Sequence, residues 1–150
     1  MHKNEKATIL VVDDAHLVLG MIKRILTPRG YRLLLASNGA EALELTKNPG
    51  GKIDLLLTDV VMPGITGLDL AREFIKTYPK TEIMFMSGHV DPSVIRQHAL
   101  FDKTTFFSKP FTPSRLVAKI RSILEPDYVP EIDDESQEKI NEGQAKTQRF

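Results

Sequence analysis

The stretch ILVVDDAH, residues 9–16, runs four apolar residues straight into two aspartates. Ile9 to Val12 reads as a short buried strand, with Asp13 and Asp14 side by side at its end. Adjacent carboxylates repel each other, and neither belongs in a core. A compensating group is therefore expected just beyond the strand end, and the rest of the chain has to supply it.

Working outward from this stretch, short apolar runs alternate with longer amphipathic ones. A helix is expected over Leu17 to Leu26, stopped at Pro28, then a strand over Tyr31 to Ala36. A second helix spans Gly39 to Lys47 and is closed by Asn48-Pro49-Gly50-Gly51. The next strand, Asp54 to Thr58, carries an LLLT run that is apolar on both faces, as a sheet covered on both sides requires. A helix over Leu68 to Tyr78 ends before Pro79, and Ile83 to Met86 forms the fourth strand. Asp91-Pro92 opens a fourth helix to about Leu100, because aspartate suits the N-cap and proline the first turn. Thr105 to Ser108 is the fifth strand, and Thr112-Pro113 repeats the cap signal before a last helix that runs to about Leu124. The alternation predicts an α/β fold, a doubly wound five-stranded parallel sheet with helices on both faces.

Composition narrows the function. With 41% hydrophobic and 27% charged residues, the 150-residue chain has the balance of one globular domain. Twenty basic and twenty acidic side chains cancel, so no global charge points to nucleic acid or membrane. The absence of cysteine excludes disulfides, thiolate metal sites and cysteine nucleophiles. No apolar run approaches the ~18 residues of a membrane span, and MHKNEKAT lacks the apolar stretch of a signal peptide, so a cytoplasmic location is expected. Residues 1–125 carry a balance of +4, whereas 126–150 carry −4 and few large apolar groups. The folded domain is expected over 1–125. Residues 126–150 form an acidic polar tail, flexible or partly helical around Glu135 to Arg149.

In open α/β sheets, ligands bind at the carboxyl ends of the strands. Those ends carry Asp13 and Asp14, Asp59, Ser87 and Lys109, while Ser37-Asn38 after the second strand reads as a turn and helix cap. Three crowded carboxylates raise one another's pKa or destabilise the fold unless a cation sits among them. Hard oxygen ligands without histidine or cysteine favour magnesium, with manganese able to substitute. The other groups suit phosphoryl transfer. Asp59 is a carboxylate nucleophile able to form an aspartyl phosphate, and Lys109 and the Ser87 hydroxyl can hold phosphoryl oxygens.

The motifs VVDD, LLLTDVVMPGITG, MSG and FFSKPF, in that order, resemble the receiver domain of two-component response regulators over about residues 7–125, of the chemotaxis-regulator kind. Residues 85–124 look most similar to receivers attached to hybrid sensor histidine kinases. The resemblance implies a flavodoxin-like strand order 2-1-3-4-5 and Asp59 as phosphoacceptor. It implies magnesium held by Asp13, Asp14, Asp59 and the backbone carbonyl of Val61. Ser87 and Lys109 would contact the phosphoryl group, and the bond from Lys109 to Pro110 would be cis. On phosphorylation the Ser87 hydroxyl would move toward the phosphoryl group and Phe106 would turn inward. Phenylalanine here lacks the hydroxyl of the tyrosine often found at that position. Val61 and His89 would flank the attacking water and tune the phosphoryl lifetime.

The implied partners are a histidine kinase or histidine phosphotransfer protein and a downstream protein. The downstream protein would dock on the face made by the fourth helix, fifth strand and last helix. A homodimer is compatible with the resemblance, and neither direct nucleic-acid binding nor membrane insertion is implied. The chain would not be an enzyme beyond its own phosphorylation and slow dephosphorylation. The residues after 125 are too few for a DNA-binding output domain, so the chain is expected to be a stand-alone receiver or a piece of a longer protein.

Simpler readings compete at single positions. Asp13 and Asp14 could cap the first helix, Asp59 could be a turn residue before Pro63-Gly64, Ser87 a turn serine, and Lys109 a solvated lysine. His16 and His98 read as surface residues, Phe101, Phe107 and Phe111 as core. Gly64 and Gly67 read as turn residues, and Gly20 as a mark of close packing within its helix. Other functions compete too. A pseudo-receiver would not turn over phosphate, and the complete set of acids and lysine argues against it. A flavin carrier would need a hydroxyl- and glycine-rich first turn in place of Asp13-Asp14-Ala15-His16. A phosphatase of the haloacid-dehalogenase type would need an acid at Val61.

Overall fold

The computed structural model describes residues 7–48, 50–88 and 104–127. Five short strands, β1 (Thr8–Val12), β2 (Arg32–Ala36), β3 (Leu55–Asp59), β4 (Glu82–Ser87) and β5 (Thr104–Ser108), pair in parallel in the order β2-β1-β3-β4-β5. Four helices are described: α1 (His16–Leu26), α2 (Gly39–Leu45), α3 (Gly67–Thr77) and the C-terminal α4 (Pro113–Leu124). The order expected from the resemblance is the order found. The helix expected from Asp91, with His89, His98 and Phe101, lies outside the described residues, as does the segment Glu135 to Arg149.

Side chains alternate across a strand, and that alternation builds two cores. Ile9, Val11, Leu55, Leu57, Met84 and Met86 pack with Ile22 and Leu26 of α1 and Leu116 and Ile120 of α4. Leu10, Val12, Leu56 and Phe85 face the other way and pack with Ala42 of α2 and Leu70, Ala71 and Phe74 of α3. The LLL of β3 is fully buried because both its faces are covered. Phe107 is buried and Phe111 packs partly buried against the first core. With both faces sealed by apolar contacts, polar chemistry is left to the strand ends. Among the described residues no helix is long and apolar enough to cross a membrane.

Local signals explain the helix starts. Asn38, Thr66 and Thr112 each accept a hydrogen bond from the backbone N–H three residues on, at 2.8, 3.1 and 3.2 Å. One helix end differs from expectation. α1 ends at Leu26 as expected; the chain then tightens into a 3-10 turn over Thr27–Arg29 and turns at Gly30, whose φ of 91° only glycine adopts cheaply. Proline sits early in that turn, where its missing N–H matters least. α2 ends at Leu45, two residues early, where the Thr46 hydroxyl donates to the Leu43 carbonyl at 2.6 Å. Beyond α4, Glu125 accepts from the Arg121 Nε at 3.1 Å and the Tyr31 hydroxyl at 3.4 Å, fastening the helix end to the start of β2. Burial, with Glu125 beside it, pushes the Tyr31 phenol up to about 12.

The glycines sort by what a side chain would meet. Gly64 takes φ 79°, as a turn glycine should. Gly67 is not a turn residue: it opens α3, and a Cβ there would collide with the Asp59 carbonyl oxygen. Gly20 is not a mark of tight packing either, since a Cβ would meet only the Arg24 guanidinium at 3.8 Å. Urea unfolding of two variants checks this assignment. Gly20→Ala should raise stability by about 0.5–1 kcal/mol, the helix-propensity gain. Gly67→Ala should lower it by about 1–3 kcal/mol, the cost of overpacking against backbone. Reversed signs would refute it.

Candidate functional site

The parallel register decides which residues meet. Val12 of β1 lies opposite Thr58 of β3, so Asp13 and Asp59 are the next residues on their two strands. Asp59 in turn lies opposite Met86 of β4, and Ser87 lies opposite Ser108 of β5, one residue before Lys109. The backbone N–H of Lys109 donates to the Ser87 carbonyl at 2.9 Å, holding the ends of β4 and β5 together. The Lys109–Pro110 bond is cis.

At the rim, Asp13 is 0% exposed although it is ionisable, and its two oxygens are differently used. Oδ1 accepts the Ala15 backbone N–H at 2.8 Å, and Oδ2 accepts the Lys109 Nζ at 2.8 Å. Lys109 also reaches the Asp59 Oδ2 at 3.4 Å. Asp14 is exposed at the mouth. Oxygens of Asp13, Asp14 and Asp59 all lie within 4.8 Å of one another. This set fits a hard divalent cation: three carboxylates at chelating separation, one of them buried, and no softer donor in the group.

Two of the single-residue alternatives, for the first two acids and for the lysine, do not describe the geometry. α1 has Ala15 at its N-cap with no side-chain bond to the helix, so the aspartates are not capping residues. Lys109 is not a solvated lysine, since its side chain is 23% exposed and bonded to two carboxylates. Burial pushes the Asp59 carboxyl above its ordinary value; the attraction of Lys109 opposes the rise and the charge of Asp13 adds to it. Burial disfavours the Lys109 ammonium, yet the hydrogen bond and charge of Asp13, followed by Asp59, outweigh it and raise its pKa.

The remaining predicted residues take up more peripheral positions. Ser87 ends β4 and is half-buried. Val61 is 69% exposed, in the loop after β3. Phe106 is half-buried in β5 and stacks on Phe85 with ring centroids 5.0 Å apart. His16 is exposed. His89 falls outside the described residues. Gly67 is the site residue that sequence reasoning misassigned: its N–H donates to the Val60 carbonyl at 2.8 Å, drawing the first turn of α3 against the backbone of the acid. Its position at a helix start, where turn chemistry is finished, is the only sequence signal of that role.

Comparison with known proteins gives the same picture. The model of the response regulator receiver domain matches residues 9–121. The chain is 37% identical over 119 residues to the sensor kinase CckA of Brucella abortus, covering 79% of this chain and 13% of that protein. It is 33% identical over 116 residues to the chemotaxis protein CheY of Thermotoga maritima, covering 77% of this chain and 95% of that one. The solved receiver domain of a hybrid histidine kinase CckA superposes with a TM-score of 0.67 at 32% identity, covering 79% of this chain and all of that domain.

A carboxyl that binds its proton more tightly when folded makes stability fall as pH rises above the unfolded value of 3.8. In EDTA at pH 7, Asp59→Asn should therefore unfold at higher urea than the parent protein. The gain should shrink as pH falls toward 3.8. A variant that is less stable at pH 7 would mean that the Lys109 attraction, not burial, dominates at Asp59.

Proposed function

This chain belongs to the family of response regulator receiver domains, phosphoacceptor signalling modules of two-component systems, and we propose that Asp59 is its acceptor. Asp13, Asp14 and Asp59, with the backbone carbonyl of Val61, would hold a magnesium ion, and manganese could replace it. Ser87 and Lys109 would hold the phosphoryl oxygens. The observation that carries the reading is the convergence of three carboxylates within 4.8 Å with a lysine bonded to two of them.

In the proposed reaction the Asp59 carboxylate attacks the phosphorus of a phosphohistidine on a kinase or phosphotransfer protein. The P–O bond to Asp59 forms as the P–N bond breaks, and the donor imidazole leaves with the bonding pair, neutral because its other nitrogen carries a proton. Magnesium, when bound, neutralises charge on the phosphoryl oxygens. Lys109 does the same from the β5 side, and the strand-end geometry fixes the acceptor before the donor arrives. No further catalytic activity is ascribed to the chain. Its output is a changed protein-binding surface at β5 and the helices beside it, with Phe106 as the moving aromatic.

The receiver unit is assigned to residues 1–125 and an acidic tail to 126–150, in keeping with the fastening of Glu125 to Tyr31 and Arg121. A cytoplasmic site of action fits such a donor. The chain spans 13% of the length of the kinase it resembles and 95% of that of the chemotaxis protein, so the kinase's full activity is not carried over to it.

Incubation with acetyl phosphate, read by intact mass, tests the assignment. A gain of one phosphoryl group that needs magnesium and disappears in Asp59→Asn is expected. A gain that survives in Asp59→Asn would refute it. Val61, exposed and apolar, cannot orient an attacking water, so Val61→Asn should lose its phosphoryl group faster than the parent protein; an unchanged rate would remove Val61 from lifetime control.

A further inference from the structure

We infer that residues 128–135 of this chain dock in the groove between β5 and α4, so that the acidic tail covers the face it follows. The groove has a volume of about 430 Å³ and is lined by Phe106 and Ser108 of β5 and by Arg115, Ala118, Lys119 and Ser122 of α4. β5 lies at the edge of the sheet, and among the described residues it pairs with β4 alone. The four lining residues of α4 recur at helical spacing and so form one stripe along it. α4 carries Arg115, Lys119 and Arg121 and no acid. Glu125 takes up Arg121 at 3.1 Å. Arg115 and Lys119 are exposed, and the Arg115 guanidinium lies over the Phe107 ring, 5.8 Å from its centroid. The groove is thus an aromatic floor with two cations on one wall.

Such a groove suits a short segment that combines apolar side chains with carboxylates, and the chain carries one just beyond α4. Residues 128–135, YVPEIDDE, hold four acids, no base and the apolar groups of Tyr128, Val129 and Ile132. Opposite charges steer the segment to Arg115 and Lys119, while apolar burial beside the Phe106 ring adds affinity. The connection is long enough. Residues 126 and 127 form a turn directly after the helix. At a 1.5 Å rise per residue, Lys119 lies about 9 Å and Arg115 about 15 Å back from Glu125. The stretch from Glu125 to Glu131 spans up to about 20 Å when extended. Because the segment is tethered beside the groove, its effective concentration there is on the order of millimolar, and even a weak contact is populated. Occupancy by the tail covers part of the β5 face proposed above as the output surface, which makes the tail a competitor of the downstream protein. That consequence rests on the proposed function, whereas the docking itself does not.

The absence of cysteine allows a single nitroxide label at Ser136→Cys, directly after the segment, in the 150-residue chain. In an isotopically enriched sample, the amide signals of Ser108, Ala118, Lys119 and Ser122 should lose intensity and regain it when the label is reduced. Those of Arg72 and Glu73, on α3 across the sheet, should not change. In about 1 M salt, where the Debye length is about 3 Å, the loss should be largely reversed. Reversing the charge of the groove with Arg115→Glu and Lys119→Glu should do the same, and the salt arm keeps the inference testable if that variant does not fold. A groove that loses no intensity would overturn the inference and leave the groove to a separate partner. A loss unmoved by both salt and charge reversal would overturn it as well. The same loss in a mixture of labelled chain without enrichment and enriched chain without label would assign the contact to a second copy and overturn docking within one chain. Neither magnesium nor a phosphoryl donor is present, so a negative result leaves the Asp59 assignment standing, and a failure to phosphorylate leaves the docking standing.

Discussion

The buried charge of Asp13 is the constraint on which the rest of this structure depends. A carboxylate with no exposed surface is tolerated only if a cation and hydrogen bonds replace the water it gave up. Lys109 supplies the charge, and the turn into α1 supplies a backbone donor. Removing one partner from such a pair typically costs about 3–5 kcal/mol, a large part of a small domain's stability. The fold therefore has to bring the end of β5 to the end of β1, although β3 and β4 lie between them in the sheet. The backbone bond between Lys109 and Ser87 and the reach of the lysine side chain together span that gap.

Among the described residues, the two-sided core leaves chemistry of this kind to that rim. Alternate residues of β1 and β3 enter opposite cores, and helices seal both. Where the apolar pairing stops, at Val12 and Thr58, the next residues on both strands are acids. Register in a parallel sheet is set by the buried pattern, so the packing that holds the domain together also fixes the spacing of Asp13 and Asp59. Gly67 adds a third constraint: without a side chain, the start of α3 rests on the Asp59 backbone and limits its freedom. Stability and the geometry around Asp59 thus come from the same contacts.

Much of this was legible in the residues. The LLLT run announced a doubly covered sheet, and the strand order followed from the resemblance carried by VVDD, LLLTDVVMPGITG, MSG and FFSKPF. Asp13, Asp14, Asp59 and Lys109 could be gathered on paper because strand ends in such sheets share one edge. Which oxygen meets which ammonium could not be gathered so, because it depends on the placement of side chains from strands 96 residues apart in sequence. Helix ends were less legible than starts. A cap residue declares itself by type at Asn38, Thr66 and Thr112, whereas no residue type at Leu45 or Thr46 marks the end of α2. Gly20 and Gly67 look alike in sequence and differ only in what surrounds them.

The central claim is that the convergence of charge at this rim makes Asp59, and neither of its acidic neighbours, the phosphoacceptor. The most direct test is to phosphorylate the protein with acetyl phosphate and magnesium, reduce the acyl phosphate with borohydride, and map the modified peptide by mass spectrometry. Conversion of residue 59 to homoserine, with Asp13 and Asp14 untouched, is the predicted result. Homoserine at position 13 or 14, or a phosphoryl group that is not reducible and so is not an acyl phosphate, would contradict the account.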